Sequence, residues 1–226
     1  MNRTVLLFVL VSNIWAVVSG QEIPKSITIP KINRDIVVDG RSEKNEWASI
    51  DSIAGFSCPW TSTGPDQTVF KSFCSEKYFN FYFNVVDKSV TTCDFKEEMS
   101  VASEDRVELF FSANPDLHQY YCIEIDPLGR YLDYSAQYYL KFSVLWDFRQ
   151  VEISAKYTPV GYIVEGRIPM AELKKAGLKE SFFLGIFRAD YKSNNADDVV
   201  WYSWIKPDSP VPDFHIPTAF GICNLR

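Results

Sequence analysis

The chain is poor in the residues and motifs that many enzymes use for catalysis. It contains only two histidines in 226 residues, His118 and His215, and histidine is the usual acid–base group at neutral pH. Gly-x-Ser-x-Gly, His-Glu-x-x-His, phosphate-loop and dinucleotide-binding motifs are all missing from the sequence. Their absence argues against the common hydrolase, zinc-protease and nucleotide-binding classes.

Long hydrophobic runs are missing after the first twenty residues. Residues 1–20 carry one charge, Arg3, followed by an apolar run from Val5 to Val18 and a small-residue end at Ser19-Gly20. This pattern is typical of a cleavable signal peptide, because the apolar core is too short for a membrane anchor. We therefore predict cleavage near Gly20, no membrane span, and a secreted, periplasmic or otherwise extracellular mature chain.

Positive charge is also in short supply. The chain has 23 Lys and Arg against 29 Asp and Glu, a formal net charge of -6. A surface of this sign repels phosphate backbones and anionic lipids, so neither nucleic acid nor a membrane surface is an expected partner. The remaining residues, 21–226, carry no repeat or linker, and their number suits one β-sandwich domain.

Five cysteines form no C-x-x-C pair, which together with the scarcity of histidine argues against zinc. In an exported chain thiols oxidise, so one or two disulfides are expected. We favour Cys58 paired with Cys93 or with Cys74, because these residues flank one hairpin region. The alternative is that several of the five, which are Cys58, Cys74, Cys93, Cys122 and Cys223, are buried free thiols that pack as small hydrophobic side chains.

Alternating sequence, by contrast, is plentiful. Ser103–Ser112 and Tyr120–Tyr134 alternate large apolar with polar residues, and breaks at Asn114-Pro115-Asp116 and Pro127-Leu128-Gly129 divide them into consecutive antiparallel strands. Similar patterns predict further strands at Ile27–Ile32, Ile36–Val38, Thr68–Cys74, Tyr78–Val86, Gln150–Thr158, Tyr162–Ile168, Phe182–Tyr191 and Phe220–Leu225.

Helical sequence is confined to two short pieces. Ser42 is placed to cap one or two turns that carry Trp47 inward, and Pro169–Gly177 begins with proline and ends with glycine. Asp87–Ser103 has no period and predicts a surface loop. Many strands with so few helices predict an all-β fold, an antiparallel β-sandwich of jelly-roll-like or immunoglobulin-like type with one or two short helices.

Aromatic residues make up 15% of the chain, and most alternate on strands and are expected in the core. Others fall in segments predicted to be loops, where an exposed ring is costly unless it meets a partner. In an exported protein the apolar face of a sugar is such a partner. Core packing is the alternative for each of these rings, which are Trp60, Trp146, Trp201, Trp204 and Phe214.

Carboxylates leave a hydrolase open, because a glycoside hydrolase needs only two of them and no histidine. Each candidate lies at a polar position of an alternating strand, where a solvated surface role is the default. The candidates are Glu108, Glu124, Asp126, Asp133 and Glu165.

An ordered set of short motifs resembles the family 9 carbohydrate-binding modules and related DOMON-like domains. The resemblance covers nearly the whole predicted mature chain, and each motif is weak alone. The motifs are Val38-Asp39-Gly40, Glu46-Trp47, Val85-Val86-Asp87, Asp105–Phe111, Tyr162–Pro169 and Phe214–Gly221.

The resemblance implies a β-sandwich that binds sugar without hydrolysing it, often beside a secreted polysaccharide-degrading enzyme. In such modules two aromatic rings sandwich a terminal sugar. By position, Phe214 resembles one ring and Glu108 a hydroxyl acceptor. The second ring is expected near Ala102, where this chain has no aromatic residue. The candidates to replace that ring are Trp60, Trp146 and Trp204.

Cofactors are not predicted. A haem between an axial Met and His would have to use Met99 or Met170 with His118 or His215, and no attachment motif is present. Calcium sites occur in some of the related modules, and carboxylates near Asp87, Asp94 and Asp105 offer the oxygen ligands that calcium prefers. The spacing of a dedicated calcium loop is missing, so calcium stays open.

Together these features predict an exported, non-catalytic carbohydrate-binding protein that supports polysaccharide catabolism, with a secreted glycoside hydrolase as a possible partner. Phe214 and one tryptophan would stack on the sugar, and Glu108, Arg188 or His215 would bind its hydroxyls. Two alternatives stay open. One is a glycoside hydrolase that uses a pair of the five candidate carboxylates, whose activity Glu108→Gln or Glu165→Gln would abolish. The other is an interaction module that has lost its sugar site.

Overall fold

The computed structural model describes residues 25–41, 45–62, 64–193, 195 and 197–226. The signal peptide predicted at residues 1–20 and the helix cap predicted at Ser42 lie outside the described residues. No helix in the described ranges is long and apolar enough to cross a membrane.

Strands dominate the described chain, and the helical segments are short. The helices are α1 (Asn45–Ala48) and α2 (Met170–Lys175), with 3₁₀ turns at Glu98–Ser103 and Pro217–Ala219. The strands are β1 (Ser26–Ile29), β2 (Thr68–Cys74), β3 (Tyr78–Val86), β4 (Arg106–Ser112), β5 (Tyr120–Ile125), β6 (Tyr131–Gln137), β7 (Lys141–Ser143), β8 (Glu152–Thr158), β9 (Gly161–Pro169), β10 (Ser181–Tyr191), β11 (Val199–Ser203) and β12 (Gly221–Leu225).

The strands form two sheets. The larger sheet has the order β1-β12-β10-β4-β5-β6-β7, and β11 also pairs with β10; the smaller has the order β2-β3-β9-β8. Because β10 is eleven residues long, β12 and β11 follow one another along the same edge of it. Each of these pairings is antiparallel except β1 with β12. The predicted all-β sandwich is confirmed.

The core between the sheets follows directly from alternation. Val107, Leu109 and Phe111 point inward from β4 and pack in one cluster with Phe79 and Phe81 of β3. All five side chains are fully buried. This layer is the one that local sequence patterns predicted.

The outer face of the larger sheet is also buried, which the sequence patterns did not indicate. Phe110 of β4 and Phe187 of β10 point outward and belong to a second cluster that includes Phe214 and Phe220 of the C-terminal segment. That segment folds over the sheet, so polar positions of β4 such as Glu108 are buried too. The expectation that the strand carboxylates lie on a solvated face is therefore wrong.

Several local predictions need correction. Ile36–Val38 forms no strand, and Asp87–Ser103 ends in a 3₁₀ turn. Trp201 lies on β11 and not on a loop, because Val199–Ser203 pairs with β10. The short strand β7 was not anticipated. Trp47 packs inward from α1 as predicted and is buried.

The predicted disulfides are not formed, because all five cysteines are free thiols. Cys74 and Cys223 lie in the core between the sheets and Cys122 in the outer cluster, so these three pack as small hydrophobic groups. Burial raises the pKa of Cys74 to about 12. Cys93 donates its backbone N–H to Glu104 (2.8 Å) and is partly exposed.

Candidate functional site

A cleft of about 200 Å³ opens on the outer face of the larger sheet. Its floor is formed by strands β4 and β5, and its walls come from β11, the β6–β7 hairpin and two loops that cross the sheet. Typical small-molecule sites occupy ~300–1,000 Å³, so the cleft is of a size for one small polar ring. The lining residues are Trp60, Arg106, Glu108, Glu124, Tyr139, Leu140, Trp201, Pro212, Asp213, Phe214 and His215.

A buried charged triad forms the floor. Glu108 of β4 lies directly opposite Glu124 of β5 in the strand register. Arg106 shares the outward face of β4 with Glu108, and its Nε lies 2.6 Å from Glu124 Oε2 and 3.0 Å from Glu108 Oε1. Burial lowers the pKa of Arg106, but the two carboxylates raise it more, so the guanidinium stays charged. One cation therefore faces two carboxylates that would otherwise repel each other.

The two carboxylates differ in how well they are satisfied. Glu124 accepts hydrogen bonds from Arg106 Nε and from the hydroxyl of Tyr134 (2.8 Å). Because Nε carries a single hydrogen, which points to Glu124, the buried Oε1 of Glu108 has no hydrogen-bond partner. Burial and the neighbouring Glu124 raise the pKa of Glu108 to about 8. Glu108 thus has spare capacity to bind a hydroxyl in the cleft.

Three aromatic rings form one wall. Phe214 stacks on Phe187 with centroids 4.1 Å apart and planes 8° apart, and it is 6% exposed. Trp60 and Trp201 each lie 5.5 Å from Phe214, and both are partly exposed. Trp60 Nε1 donates to the carbonyl of Ser209 (2.9 Å), which fixes its ring. The exposed ring surface of the wall therefore comes from the tryptophans, while Phe214 supports them.

The rest of the cleft lining is tied together by polar contacts. Tyr139 donates its hydroxyl to Asp213 (2.6 Å), and Asp213 also accepts the backbone N–H of His215 (2.8 Å). The ring of His215 stacks on Phe110 at 5.0 Å, and its Nδ1 lies 3.0 Å from the hydroxyl of Tyr120. Burial lowers the pKa of His215, so the imidazole is neutral near pH 7.

The sequence matches the family described as "Carbohydrate family 9 binding domain-like" over residues 38–226. The chain belongs to this family. No curated protein sequence matches the chain. The match covers both sheets except β1, and it includes every residue that lines the cleft.

Solved structures share the fold of this family 9-like chain at 16% sequence identity. A protein from Bacteroides uniformis inferred to bind carbohydrate has a TM-score of 0.71 and covers 90% of this chain and 100% of its own. A family 9 carbohydrate-binding module from Caldicellulosiruptor kristjanssonii in complex with cellotriose has a TM-score of 0.60 and covers 89% and 94%. The same organism's module with glucose gives 0.59, 89% and 96%.

Four of the sequence-predicted site residues of the family 9-like domain meet in the cleft: Phe214, Glu108, Trp60 and His215. Trp201, one of the rings considered for sugar stacking, also lines the cleft, whereas sequence reasoning named neither Arg106 nor Tyr139 as a site residue. Arg106 carried a signal, because it lies two residues before Glu108 and therefore on the same strand face. Tyr139 carried none, since its position depends on how the β6–β7 hairpin folds.

Three predicted site residues lie elsewhere. Trp146 packs against Tyr121 at 4.6 Å and against Phe148 at 4.5 Å, beside the core between the sheets. Trp204 is 3% exposed and belongs to the core between the sheets. It borders a larger cleft of about 810 Å³, but the lining of that cleft includes no buried charged side chain among the described residues. The third is Arg188, which is fully buried.

Arg188 belongs to a buried ion network. Its Nη2 lies 2.8 Å from Asp87 Oδ2 and 3.0 Å from Asp190 Oδ2. Asp105, whose carboxylate lies near both, accepts backbone N–H groups of Tyr191 (2.6 Å) and Thr91 (2.7 Å). Arg188 pairs with Asp87 and Asp190, and the backbone N–H groups donate to Asp105. Because each of the three carboxylates already has a donor, the group fits an ion network better than a calcium site.

The hydrolase alternative left the pair open among five carboxylates, and two of them, Glu108 and Glu124, meet in the cleft. Glu165 does not lie near them. Glu165 lies on β9 of the smaller sheet and contacts Trp47 of the outer cluster on that side, whereas Glu108 points outward from the larger sheet. Asp126 holds the turn after β5 by accepting the N–H groups of Leu128 and Arg130. Each of these carboxylates outside the cleft therefore has a local structural role.

Proposed function

We propose that the cleft binds a neutral carbohydrate, with Glu108 as the principal hydroxyl acceptor. The observation that carries this proposal is the unpartnered Oε1 of a buried carboxylate on the floor of an aromatic-walled cleft. A buried acceptor without a donor is unfavourable by about 1–3 kcal/mol, and a sugar hydroxyl placed in the cleft would remove that penalty.

The walls of the cleft also suit a sugar ring. Trp60 and Trp201 present partly exposed indole surface, and the apolar C–H face of a pyranose can pack against it. Asp213 and His215 add polar groups at the rim. Apolar walls with a few fixed polar groups are the usual composition of a specific small-molecule site.

The wider role follows from the same proposal. The protein is a non-catalytic binding module, exported after cleavage of residues 1–20, that supports polysaccharide catabolism beside a secreted glycoside hydrolase. The triad supports binding over hydrolysis, because Arg106 and Tyr134 hold Glu124 and leave a single free acceptor. The membership of the chain in a carbohydrate-binding family supports the ligand class.

Isothermal titration with a panel of mono- and oligosaccharides, followed also by tryptophan fluorescence, tests the proposal. We expect saturable binding to at least one sugar and a fluorescence change, since Trp60 and Trp201 line the cleft. At pH 9, above the pKa of Glu108, Glu108→Gln should weaken binding by more than about tenfold, the value of a hydrogen bond to a charged acceptor. Glu180→Gln, at a surface ion pair with Lys31, is the matched control.

Two outcomes would contradict the proposal. Absence of binding across the panel, with a folded protein, would favour an interaction module without a sugar site. Product release from a polysaccharide that Glu108→Gln abolishes would favour the hydrolase. Phe214→Ala is a poor test, because that ring is buried against Phe187 and its removal would also destabilise the fold by about 3–5 kcal/mol.

A further inference from the structure

Exposed apolar side chains are concentrated on the β6–β7 hairpin. Among the described residues, thirteen large hydrophobic side chains are exposed, and six of them lie between positions 138 and 145. We call this segment the hairpin surface. Its residues are Tyr138 and Tyr139 (each 49% exposed), Leu140 (39%), Phe142 (48%), Val144 (50%) and Leu145 (91%).

The hairpin surface is continuous with the cleft. Tyr139 and Leu140 line both, and the Tyr139 hydroxyl is tied to Asp213 at 2.6 Å. Tyr138 packs edge-on against Tyr139, with ring centroids 5.4 Å apart. Phe142 packs against His215 of the cleft wall at 5.1 Å. A ligand that fills the cleft and extends past Tyr139 would therefore meet exposed aromatic rings.

We propose that the hairpin surface is a second sugar subsite, on which Tyr138 and Tyr139 hold the unit next to the one in the cleft. This inference rests on the proposed function of the cleft. The cleft, at about 200 Å³, has room for one ring, so an oligosaccharide must continue onto the surface beside it. The protein would then bind oligosaccharides more tightly than the matching monosaccharide.

The composition of the surface favours sugar over a second copy of the chain. A standard protein interface uses ~20–30 residues a side, and this segment has eight. Tyrosine combines an apolar ring face with a hydroxyl, which suits a sugar that also has both. Lys141 is the one charged residue between positions 138 and 145, and this indicates a neutral ligand.

The test compares glucose, cellobiose and cellotriose, with the matching xylose and mannose series, on wild type and variants by titration calorimetry. Wild type should bind the trisaccharide about three- to tenfold more tightly than the monosaccharide. Tyr138→Ala and Tyr138→Leu should remove this difference and leave monosaccharide affinity unchanged. Tyr157→Ala, a half-exposed tyrosine on β8 of the other sheet, is the matched control and should behave as wild type.

The outcomes separate this inference from the function on which it rests. Equal affinity for mono- and trisaccharide in wild type, or a full trisaccharide affinity in both Tyr138 variants, would overturn the second subsite and leave the cleft as a binding site. Loss of monosaccharide binding in folded Tyr138 variants would also overturn it. No binding by wild type would refute the proposed function itself. A wild-type dimer that Tyr138→Ala dissociates would assign the surface to self-association instead.

Discussion

Glu165 provides the sharpest test of the division between structural and binding carboxylates. It is fully buried, and its two oxygens accept hydrogen bonds from Trp47 Nε1 (2.8 Å) and from the backbone N–H groups of Asp39 (2.9 Å) and Gly40 (3.0 Å). The carboxylate thus fastens the N-terminal segment and α1 to β9. We predict that Glu165→Gln destabilises the fold without changing sugar affinity.

The magnitude follows from the donors that the amide cannot satisfy. Glutamine has one carbonyl oxygen and one NH₂ group, so in either orientation at least one N–H donor faces another donor. A hydrogen bond to a charged group contributes about 1.5–3 kcal/mol, and a buried donor left unpaired adds a desolvation penalty. We expect a loss of about 3 kcal/mol in the free energy of unfolding, which lowers Tm by about 6–12 °C for a domain of this size.

Thermal and urea unfolding monitored by circular dichroism measure this loss. The matched control is Glu152→Gln on β8, whose carboxylate is about half exposed in a surface ion pair with Arg167. Surface ion pairs contribute about 0–1 kcal/mol, so the control should unfold nearly as wild type does. Titration of both variants with the sugar that wild type binds completes the experiment.

The result that refutes this reasoning is a Glu165→Gln variant that unfolds within about 1 kcal/mol of wild type. Such a result would mean that the N-terminal segment is held mainly by the packing of Trp47 and its neighbours. A stable variant with lost sugar affinity or lost hydrolytic activity would instead return Glu165 to a functional role.

Two further predictions concern groups whose pKa values burial raises. The pKa of Glu108 rises from about 4.5 to about 8 on folding, so its contribution to stability is present below pH 4.5 and is lost as pH rises through 8. The Tm of Glu108→Gln relative to that of wild type should therefore increase from pH 5 to pH 9. A Tm difference that does not change with pH would contradict the raised pKa. Alkylation without reductant should modify all five thiols of the unfolded protein. In the folded protein it should spare Cys74, Cys122 and Cys223, because burial raises the pKa values of these thiols. Mass spectrometry counts the adducts, and fewer than five on the unfolded chain would indicate a disulfide.

The inner half of the sandwich was predictable because its cause is local. Thr68–Cys74 and Tyr78–Val86 were predicted with the bounds that β2 and β3 have. Alternate side chains such as Phe79 and Phe81 face one core, and the sequence shows this as apolar residues at every second position. The motif Val38-Asp39-Gly40 was also informative, although its use is structural: the N–H groups of its turn bind Glu165.

The outer half was not predictable, because what covers a sheet is decided far along the chain. A polar residue at every second position of a strand predicts a solvent-exposed face. The pattern is the same whether water or another part of the chain covers that face. Here Phe214 and the segment around it cover β4, more than one hundred residues away in sequence. The same long-range packing explains the cysteine result, since Cys122 is buried under that cover and does not meet another thiol.

The site depends on a still finer detail, the direction of one hydrogen. Arg106 Nε lies within 3.0 Å of both Glu108 and Glu124, yet it can donate to only one of them. Tyr134 adds a second donor to Glu124, and this leaves Glu108 as the acceptor with free capacity. Strand register brings the two glutamates together, but only the placement of Arg106 and Tyr134 makes them unequal. Binding specificity on this floor therefore comes from the neighbours of the carboxylates more than from the carboxylates themselves.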